Sequence, residues 1–190
     1  MSKGKCIIFS APSGSGKTTL VKYLLNQKDL NLIFSISATT RQKRGDERNG
    51  VDYNFLEKEI FDKKIKKGDF LEFEEVYKGI FYGTLKQSIE SLLKDYNVIF
   101  DIDVEGGIKL KNIFKDNALS VFVKPPSLEE LKTRLNIRNK DSKNSINIRI
   151  SKAKFELSKE KYFDQTIVND DLLNAKKEAY ILVNQFLEKQ

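Results

Sequence analysis

The hydrophobic positions of the chain fall into two patterns, short apolar runs and segments with helical spacing. Residues 5–10 and 97–103 are compact apolar runs of the length that strands have. After the first run, apolar side chains recur at helical spacing, at Leu20, Tyr23 and Leu24. Strands that alternate with helices in this way predict an α/β fold, with a parallel sheet flanked by helices on both faces.

The stretch between residues 38 and 95 interrupts this alternation. It contains a polar loop punctuated by glycine, a short helical pattern at residues 61–67 and aromatic-rich strand patterns at about residues 70–82. We therefore predict one α/β core, formed by residues 1–37 and 96–190, that carries residues 38–95 as an inserted subdomain.

The C-terminal half contains a helix start and a polar interruption. Ser127 is a good N-cap, and Glu130 follows at the position that completes a capping box. Residues 138–145 are polar and lack apolar periodicity, so we expect a mobile loop there. We place a lid at about residues 138–149, and we expect a last helix to begin near Leu172.

Composition narrows both the classes of ligand and the cellular compartment that we expect for the chain. Of 190 residues, 34 are Lys or Arg and 27 are Asp or Glu, a net charge of +7 that suits nucleic acid, acidic surfaces or small polyanions such as nucleotides. Many lysines lie on helical stretches, where a solvated face is the simpler interpretation.

One cysteine, Cys6, excludes an internal disulfide framework, and we find neither a membrane span nor a secretion signal. We expect a cytoplasmic protein.

Residues 11–18 (APSGSGKT) match the P-loop motif, with Ala11 at the position of the first glycine. Such a loop turns its backbone N–H groups toward phosphate oxygens, Lys17 reaches the β- and γ-phosphates, and Thr18 coordinates Mg²⁺. A Gly/Ser hairpin or a helix cap is the alternative, but a strand pattern precedes the motif and a helical pattern follows it. The predicted ATP contacts in this region are Ser10, Ala11, Pro12, Ser13, Gly14, Ser15, Gly16, Lys17, Thr18 and Thr19.

A P-loop needs an acid from a neighbouring strand to hold its metal. Asp101 and Asp103 stand two residues apart at the end of an apolar run, and therefore on one side of a strand. Either could serve through water, and an acidic strand end with no ligand role is the simpler alternative. We take Thr18 and Asp101 as the predicted Mg²⁺ site and keep Asp103 open.

The chain has no histidine, which removes the commonest general base and metal ligand. Its chemistry must then use carboxylates, hydroxyls, lysine, arginine and bound metal. Phosphoryl transfer to an acceptor that is itself a phosphate fits this restriction, because that oxygen is largely deprotonated near neutral pH and needs no base.

Residues 35–44 (SISATTRQKR) and 49–55 (NGVDYNF) closely resemble guanylate kinases, and the resemblance spans nearly the whole chain. Because separate motifs occur in the family's order, the resemblance is highly specific. The further matching segments are residues 70–73, 82–84, 101–103, 125–127, 134–138, 148–149 and 168–170.

This resemblance implies transfer of the γ-phosphoryl group from Mg²⁺-bound ATP to GMP, by a core, a GMP-binding subdomain and a lid that close together. It implies that Arg134, Arg138 and Arg149 act on the ATP phosphates and that Asn169 lies near the adenine. Together with Lys17 and Arg41, the lid residues Arg138 and Arg149 form the predicted catalytic set. The implied GMP site consists of Ser37, Arg41, Arg44, Tyr53, Glu72, Tyr82, Thr84 and Asp103.

The chemistry of these side chains agrees with the implied roles. The planar guanidinium groups of Arg41 and Arg44 suit a phosphate, to which Tyr53 and Tyr82 can donate. Glu72 can accept from both N1–H and the 2-amino group of guanine, a donor pair that adenine lacks. Singly, each has an ordinary structural alternative: a surface arginine, a core tyrosine or a solvated glutamate.

Three departures from the family pattern leave every proposed catalytic group in place. Ala11 keeps the backbone N–H of the glycine that it replaces, and Thr84 keeps the hydroxyl of the commoner serine. Lys43 stands where proline is usual, which is expected to loosen the arginine loop.

Two other functions compete with this interpretation. One is a catalytically inactive scaffold that binds protein partners, and retention of Lys17, Thr18, Asp101 and the lid arginines opposes it. The other is a P-loop kinase with a different acceptor, such as AMP or a ribose phosphate. The presence of Glu72 favours guanine over these acceptors. The sequence leaves the oligomeric state open.

Overall fold

The structure is a computed structural model that describes residues 4–137 and 143–189. Within these ranges, no helix combines the length and apolar character needed to cross a membrane. Along the chain the helices and strands are β1 (Cys6–Ser10), α1 (Lys17–Leu25), β2 (Leu32–Phe34), β3 (Ala38–Thr39), β4 (Asn54–Phe55), α2 (Lys58–Lys67), β5 (Phe70–Tyr77), β6 (Ile80–Leu85), α3 (Lys86–Leu92), β7 (Asn97–Ile102), α4 (Val104–Phe114), β8 (Ala118–Lys124), α5 (Leu128–Ile137), α6 (Lys143–Leu157), β9 (Gln165–Val168) and α7 (Leu172–Glu188).

The main sheet has five parallel strands in the order β2-β7-β1-β8-β9, and β1 lies at its centre. All five residues of β1 are buried, and alternate side chains enter different cores. Ile7 and Phe9 pack in the core formed with α1 and α7, whereas Cys6 and Ile8 pack in the one formed with α3 and α4. The predicted α/β fold, with helices on both faces of a parallel sheet, is confirmed.

A second, four-stranded sheet lies within the predicted insertion, in the order β4-β3-β6-β5. Residues 32–37 (LIFSIS) form one mainly apolar run that has the length of a strand, but the chain leaves the main sheet within it. Phe34 is the last residue of β2, and Ala38 begins β3 of the other sheet. The Ser35 N–H still donates to the Ile99 carbonyl at 2.9 Å, so the crossing takes only three residues.

The start of α5 shows half of the predicted capping box. Ser127 Oγ accepts from the Glu130 N–H at 3.0 Å, while the Glu130 carboxylate accepts from Arg134 Nε at 2.9 Å. The predicted loop over residues 138–145 was too long, because α6 already begins at Lys143. Residues 138–142 of that loop lie outside the described ranges.

Phe61 of α2 anchors the second sheet. Its side chain is fully buried, and its ring stacks on Phe70 with a centroid distance of 4.5 Å and lies 5.8 Å from Phe81. Removing a ring from such a site leaves a cavity that the surrounding residues fill only in part.

We expect Phe61→Ala to lower the free energy of unfolding by about 3–5 kcal/mol, as measured by urea denaturation followed by circular dichroism. Ile60→Ala is the matched control, because Ile60 is the neighbouring residue and 45% of it is exposed. Equal losses in the two variants would show that Phe61 does not anchor this sheet.

Candidate active site

A cleft of about 320 Å³ lies at the carboxyl ends of β1 and β7 and is lined by both sheets and by α6. In a parallel α/β sheet, this edge is where ligands bind. Most of its surface is polar, and its lining includes most of the predicted ATP and GMP contacts. The predicted residues that line it are Ala11, Pro12, Ser13, Gly14, Ser15, Gly16, Lys17, Thr18, Ser37, Arg44, Tyr53, Tyr82, Asp101, Asp103 and Arg149.

The P-loop owes its shape to two glycines in the left-handed region. Gly14 has φ 95° and Gly16, the N-cap of α1, has φ 91°, a conformation that other residues adopt at a cost. A Cβ atom on Gly16 would lie 2.1 Å from the Asn169 side-chain nitrogen, so a larger residue is excluded there as well. The loop thereby presents backbone N–H groups at the N-terminus of α1, which favours a bound anion.

Lys17 and Thr18 both contact Asp101 across the sheet. Lys17 Nζ forms an ion pair with Asp101 Oδ1 and donates to the Ile102 carbonyl at 2.7 Å, and Thr18 Oγ1 donates to Asp101 Oδ2 at 2.6 Å. Burial opposes ionisation of Asp101, but the adjacent Lys17 ammonium outweighs it, so the pKa of Asp101 lies below its ordinary value. Asp101 therefore stays an anion beside a threonine hydroxyl.

Asp103, the alternative metal partner, has a structural task. Its Oδ1 accepts from the N–H groups of Glu105 and Gly106, at 3.0 and 3.1 Å, and so caps the N-terminus of α4. Because Asp101 faces Thr18 whereas Asp103 faces a helix end, the geometry favours Asp101 as the metal partner.

Glu72 is a buried carboxylic acid, with only 5% of the residue exposed. Thr84 Oγ1 donates to its Oε1 at 2.6 Å, and a Cβ atom on Gly106 would approach its Oε2 to 3.0 Å. Burial raises the pKa of Glu72 to about 7; the Thr84 bond lowers it, and the charge of Asp103 raises it. Among the described contacts, the Thr84 hydroxyl is the donor to this carboxyl group, which therefore has oxygen lone pairs left to accept further hydrogen bonds.

The two arginines of the polar loop have different surroundings. Arg41 is buried, donates to Glu47 in a bidentate pair at 2.8 and 2.9 Å, and reaches the Tyr82 hydroxyl with Nε at 3.1 Å. Arg44 lines the cleft, and its backbone N–H donates to the same Glu47. Glu47 was not predicted from the sequence, although it follows Arg44 by three residues and Arg41 by six in the same loop.

The two predicted tyrosines of the acceptor site lie next to each other. The rings of Tyr53 and Tyr82 meet edge to face with centroids 5.9 Å apart, and both residues line the cleft. Burial raises the pKa of Tyr53 to about 12, and the neighbouring Tyr82 adds to the shift. Its hydroxyl is therefore available to donate a hydrogen bond throughout the physiological range.

Arg134 and Asn169 hold each other against the P-loop. Both terminal nitrogens of Arg134 donate to the Asn169 carbonyl at 3.1 Å, and Asn169 Nδ2 donates to the Ser15 carbonyl at 2.7 Å. Among the described residues, six predicted site residues besides Arg41 do not belong to the lining of the cleft: Ser10, Thr19, Glu72, Thr84, Arg134 and Asn169. Ser10 Oγ, for example, donates to the Asp103 carbonyl at 3.1 Å.

One face of α6 completes the cleft. Arg149 Nη1 lies 3.4 Å from Ser13 Oγ of the P-loop, and Lys152 and Glu156 follow on the same face of the helix. Lys152 and Glu156 were not predicted from the sequence, although their spacing of three and seven residues from Arg149 puts them on one helix face. Arg138, the other predicted lid arginine, lies outside the described residues.

The buried Glu72 makes stability depend on pH in a testable way. Because its pKa is about 7 in the fold against an ordinary 4.5, the folded state keeps a proton that the unfolded state releases. The contribution of Glu72 to the free energy of unfolding is therefore fully present below about pH 4.5 and is lost as the pH rises toward 7.

Glu72→Gln removes the titrating charge, so we expect it to raise the free energy of unfolding at pH 8 by roughly 2–3 kcal/mol and to change it little at pH 4.5. Urea denaturation at both pH values measures the effect. Glu59→Gln, at an exposed position on α2, is the control and should change neither value. A difference that is the same at both pH values would refute the titration of Glu72.

Comparison with known proteins agrees with this geometry. The family model described as guanylate kinase matches residues 3–190. Curated guanylate kinases from Bacteroides thetaiotaomicron and Porphyromonas gingivalis are 53% and 47% identical to the chain, over 98% and 97% of its length and 92% and 99% of theirs. A crystal structure of guanylate kinase from Anaplasma phagocytophilum superposes with a TM-score of 0.78 at 28% identity, over all of this chain and 89% of that one. The chain belongs to the guanylate kinase family.

Proposed function

We propose that the cleft carries out the family reaction with the P-loop on the donor side and the second sheet on the acceptor side. As a guanylate kinase, the chain transfers the γ-phosphoryl group of ATP to GMP in a reaction that uses Mg²⁺. The observation that carries the proposal is a single cleft that brings Lys17 and Thr18 opposite Arg44 and Tyr53. With one nucleotide on each side, the two phosphates would meet between them.

On the donor side, we assign the ATP phosphates to the P-loop amides and to Lys17. Lys17 now donates to Asp101 and the Ile102 carbonyl, so it would exchange the latter bond for one to a phosphate oxygen. Arg134 and Asn169 would act here indirectly, by fixing the Ser15 carbonyl, in addition to their predicted contacts with ATP.

The residues beside Lys17 fit magnesium. Thr18 and Asp101 offer hard oxygen atoms, and no three His, Cys, Asp or Glu side chains converge anywhere in the described part of the chain. Mg²⁺ is commonly held by one or two protein groups, with phosphate oxygens and water completing the octahedron. When bound, it would neutralise charge on the β- and γ-phosphates.

On the acceptor side, we assign the GMP phosphate to Arg44, Tyr53 and Tyr82, with Arg41 oriented by Glu47 behind them. Glu72 would accept from N1–H and the 2-amino group of guanine. The remaining acceptor residues of the proposed site are Ser37, Thr84 and Asp103.

We further propose that the core (residues 1–37 and 96–190), the insertion (residues 38–95) and the lid (about residues 138–149) close around both substrates. Closure would exclude water from the γ-phosphate, which protects it from hydrolysis. Arg149, already near Ser13, and Arg138 would then act on the transferred phosphoryl group.

We also place the enzyme in the cytoplasm, with GMP and ATP rather than nucleic acid or membrane as its partners. Cys6 is the single cysteine of the chain, so no internal disulfide bond can form, as is usual for cytoplasmic proteins.

The lysine of the P-loop gives a direct test of the donor side. We expect Lys17→Met to lower kcat at least about 100-fold, because its charge is needed where negative charge develops in the transition state. GMP binding, measured by calorimetry, should persist. Lys22→Met makes the same charge change at an exposed position of α1 and should keep normal turnover.

Because Lys17 also pairs with buried Asp101, the melting temperature of each variant must be measured, and activity compared where both are folded. Near-normal turnover of folded Lys17→Met would remove this lysine from the mechanism.

Acceptor choice tests the function itself. A coupled assay should show turnover of GMP and little of AMP, UMP or CMP, because adenine presents an unprotonated N1 to Glu72 and would leave a buried charge unpaired. Sites built on such hydrogen bonds discriminate by roughly 10⁴-fold. Turnover of AMP at the rate of GMP would refute the assignment.

Glu72→Gln should sharply lower kcat/KM for GMP and shrink the GMP-to-AMP ratio, because an amide can donate to adenine N1. Glu59→Gln should leave both values unchanged. If Glu72→Gln keeps the wild-type ratio, Glu72 does not read the base.

A further inference from the structure

Lys152 of α6 lies at a junction that the proposed roles do not use. Its ammonium nitrogen donates to the Val76 carbonyl at 3.3 Å and lies 5.4 Å from the centre of the Tyr77 ring. Val76 and Tyr77 belong to β5 of the second sheet, whereas α6 carries Arg149 beside the P-loop. One lysine therefore connects the helix of the donor side to the sheet of the acceptor side.

The Val76 carbonyl is available because β5 is irregular at this point. The β5–β6 pairing is in register at Glu75–Phe81 and resumes at Tyr77–Ile80, so Val76 falls at the shift between them. A β-bulge leaves one residue outside the regular ladder and turns its backbone aside. Here the carbonyl group of that residue accepts from Lys152.

Glu156 holds the lysine from the other side. Its carboxylate lies one helical turn after Lys152, with Oε1 3.7 Å from Nζ, and its side chain is only 8% exposed. A buried carboxylate needs a cation or donors nearby, and Lys152 supplies the closest positive charge that the described contacts show. Burial still raises the pKa of Glu156 to about 7, with Lys152 lowering it and Asp103 raising it.

We propose that Lys152, oriented by Glu156, is a positioning residue that sets the distance between α6 and the acceptor sheet, and thereby the alignment of Arg149 with the two phosphates. The proposal rests on the proposed function, since it needs a donor and an acceptor in one cleft. Lys152 would touch neither the base nor the reacting atoms. It would act by holding the productive arrangement, and misalignment at a reacting centre lowers rates steeply.

Removing the lysine should therefore impair catalysis more than binding. We expect Lys152→Ala to lower kcat by ~10- to 100-fold while the affinity for GMP alone changes little. Lys152→Arg should restore most of the rate, because a guanidinium group also donates to a carbonyl. Lys154→Ala, an exposed lysine on the same helix, should have wild-type kinetics.

Glu156→Gln should also lower kcat. The double variant with Lys152→Ala should be no slower than Lys152→Ala alone, because both changes disrupt the same Lys152–Glu156 pair. Additive losses would contradict the proposed orientation of Lys152 by Glu156.

A distance measurement separates positioning from general stability. Spin labels at Lys78→Cys, in the turn after β5, and at Lys154→Cys would report the separation of the acceptor sheet from α6; native Cys6 is buried and would stay unlabelled. With GMP and a non-hydrolysable ATP analogue, double electron–electron resonance should show one narrow distance in the wild type. In Lys152→Ala the distribution should broaden toward longer distances.

Unchanged distances in Lys152→Ala, wild-type kcat, or no rescue by arginine would each overturn the proposal. Wild-type turnover of GMP tests the proposed function separately, because it does not depend on any Lys152 variant.

Discussion

The ion pair between Lys17 and Asp101 joins the P-loop to the strand beside it, and the geometry of the cleft depends on this pairing. Strands β1 and β7 run parallel, with Phe9 opposite Asp101 and Ser10 opposite Ile102. The loop that follows β1 therefore begins at the same edge of the sheet as the acid that ends β7. A shift of register by one residue would turn Asp101 to the other face of the sheet. Lys17 and Thr18 would then lose their partner.

Two buried carboxyl groups have pKa values raised to about 7: Glu156, which lines the cleft, and Glu72, which is not part of its lining. Because burial destabilises the charged form of each carboxyl group, a contribution to the stability of the fold does not explain why either acid is buried. Under the proposed function, guanine would donate hydrogen bonds to Glu72, whereas Lys152 already lies beside Glu156. Carboxyl groups whose pKa values are perturbed by burial and by a nearby charge are enriched at functional sites.

Much of the fold and of the donor site could be predicted because their signals are local. The P-loop motif needs only a strand before it and a helix after it, and both were predicted and are present at β1 and α1. The site residues found by resemblance remain predictions of role, although six of the twelve do line the cleft. The missed residues, Glu47, Lys152 and Glu156, carry no motif. Helical spacing places Lys152 and Glu156 on the same face of α6 as Arg149, but only the contact with β5 shows that this face meets the second sheet. Glu47 acquires its place through Arg41, whose orientation the sequence does not reveal.

The sequence by itself determined the alternation of strands and helices, the phosphate loop and the kind of chemistry that a chain without histidine can perform. These follow from local propensity, periodicity and side-chain chemistry, which neighbouring residues suffice to express. Only the tertiary structure decided that Asp101 faces Thr18 while Asp103 caps α4, that Glu72 is buried, and that Lys152 reaches Val76. Those outcomes depend on strand register, burial and a β-bulge, which arise from pairing between segments far apart in the chain.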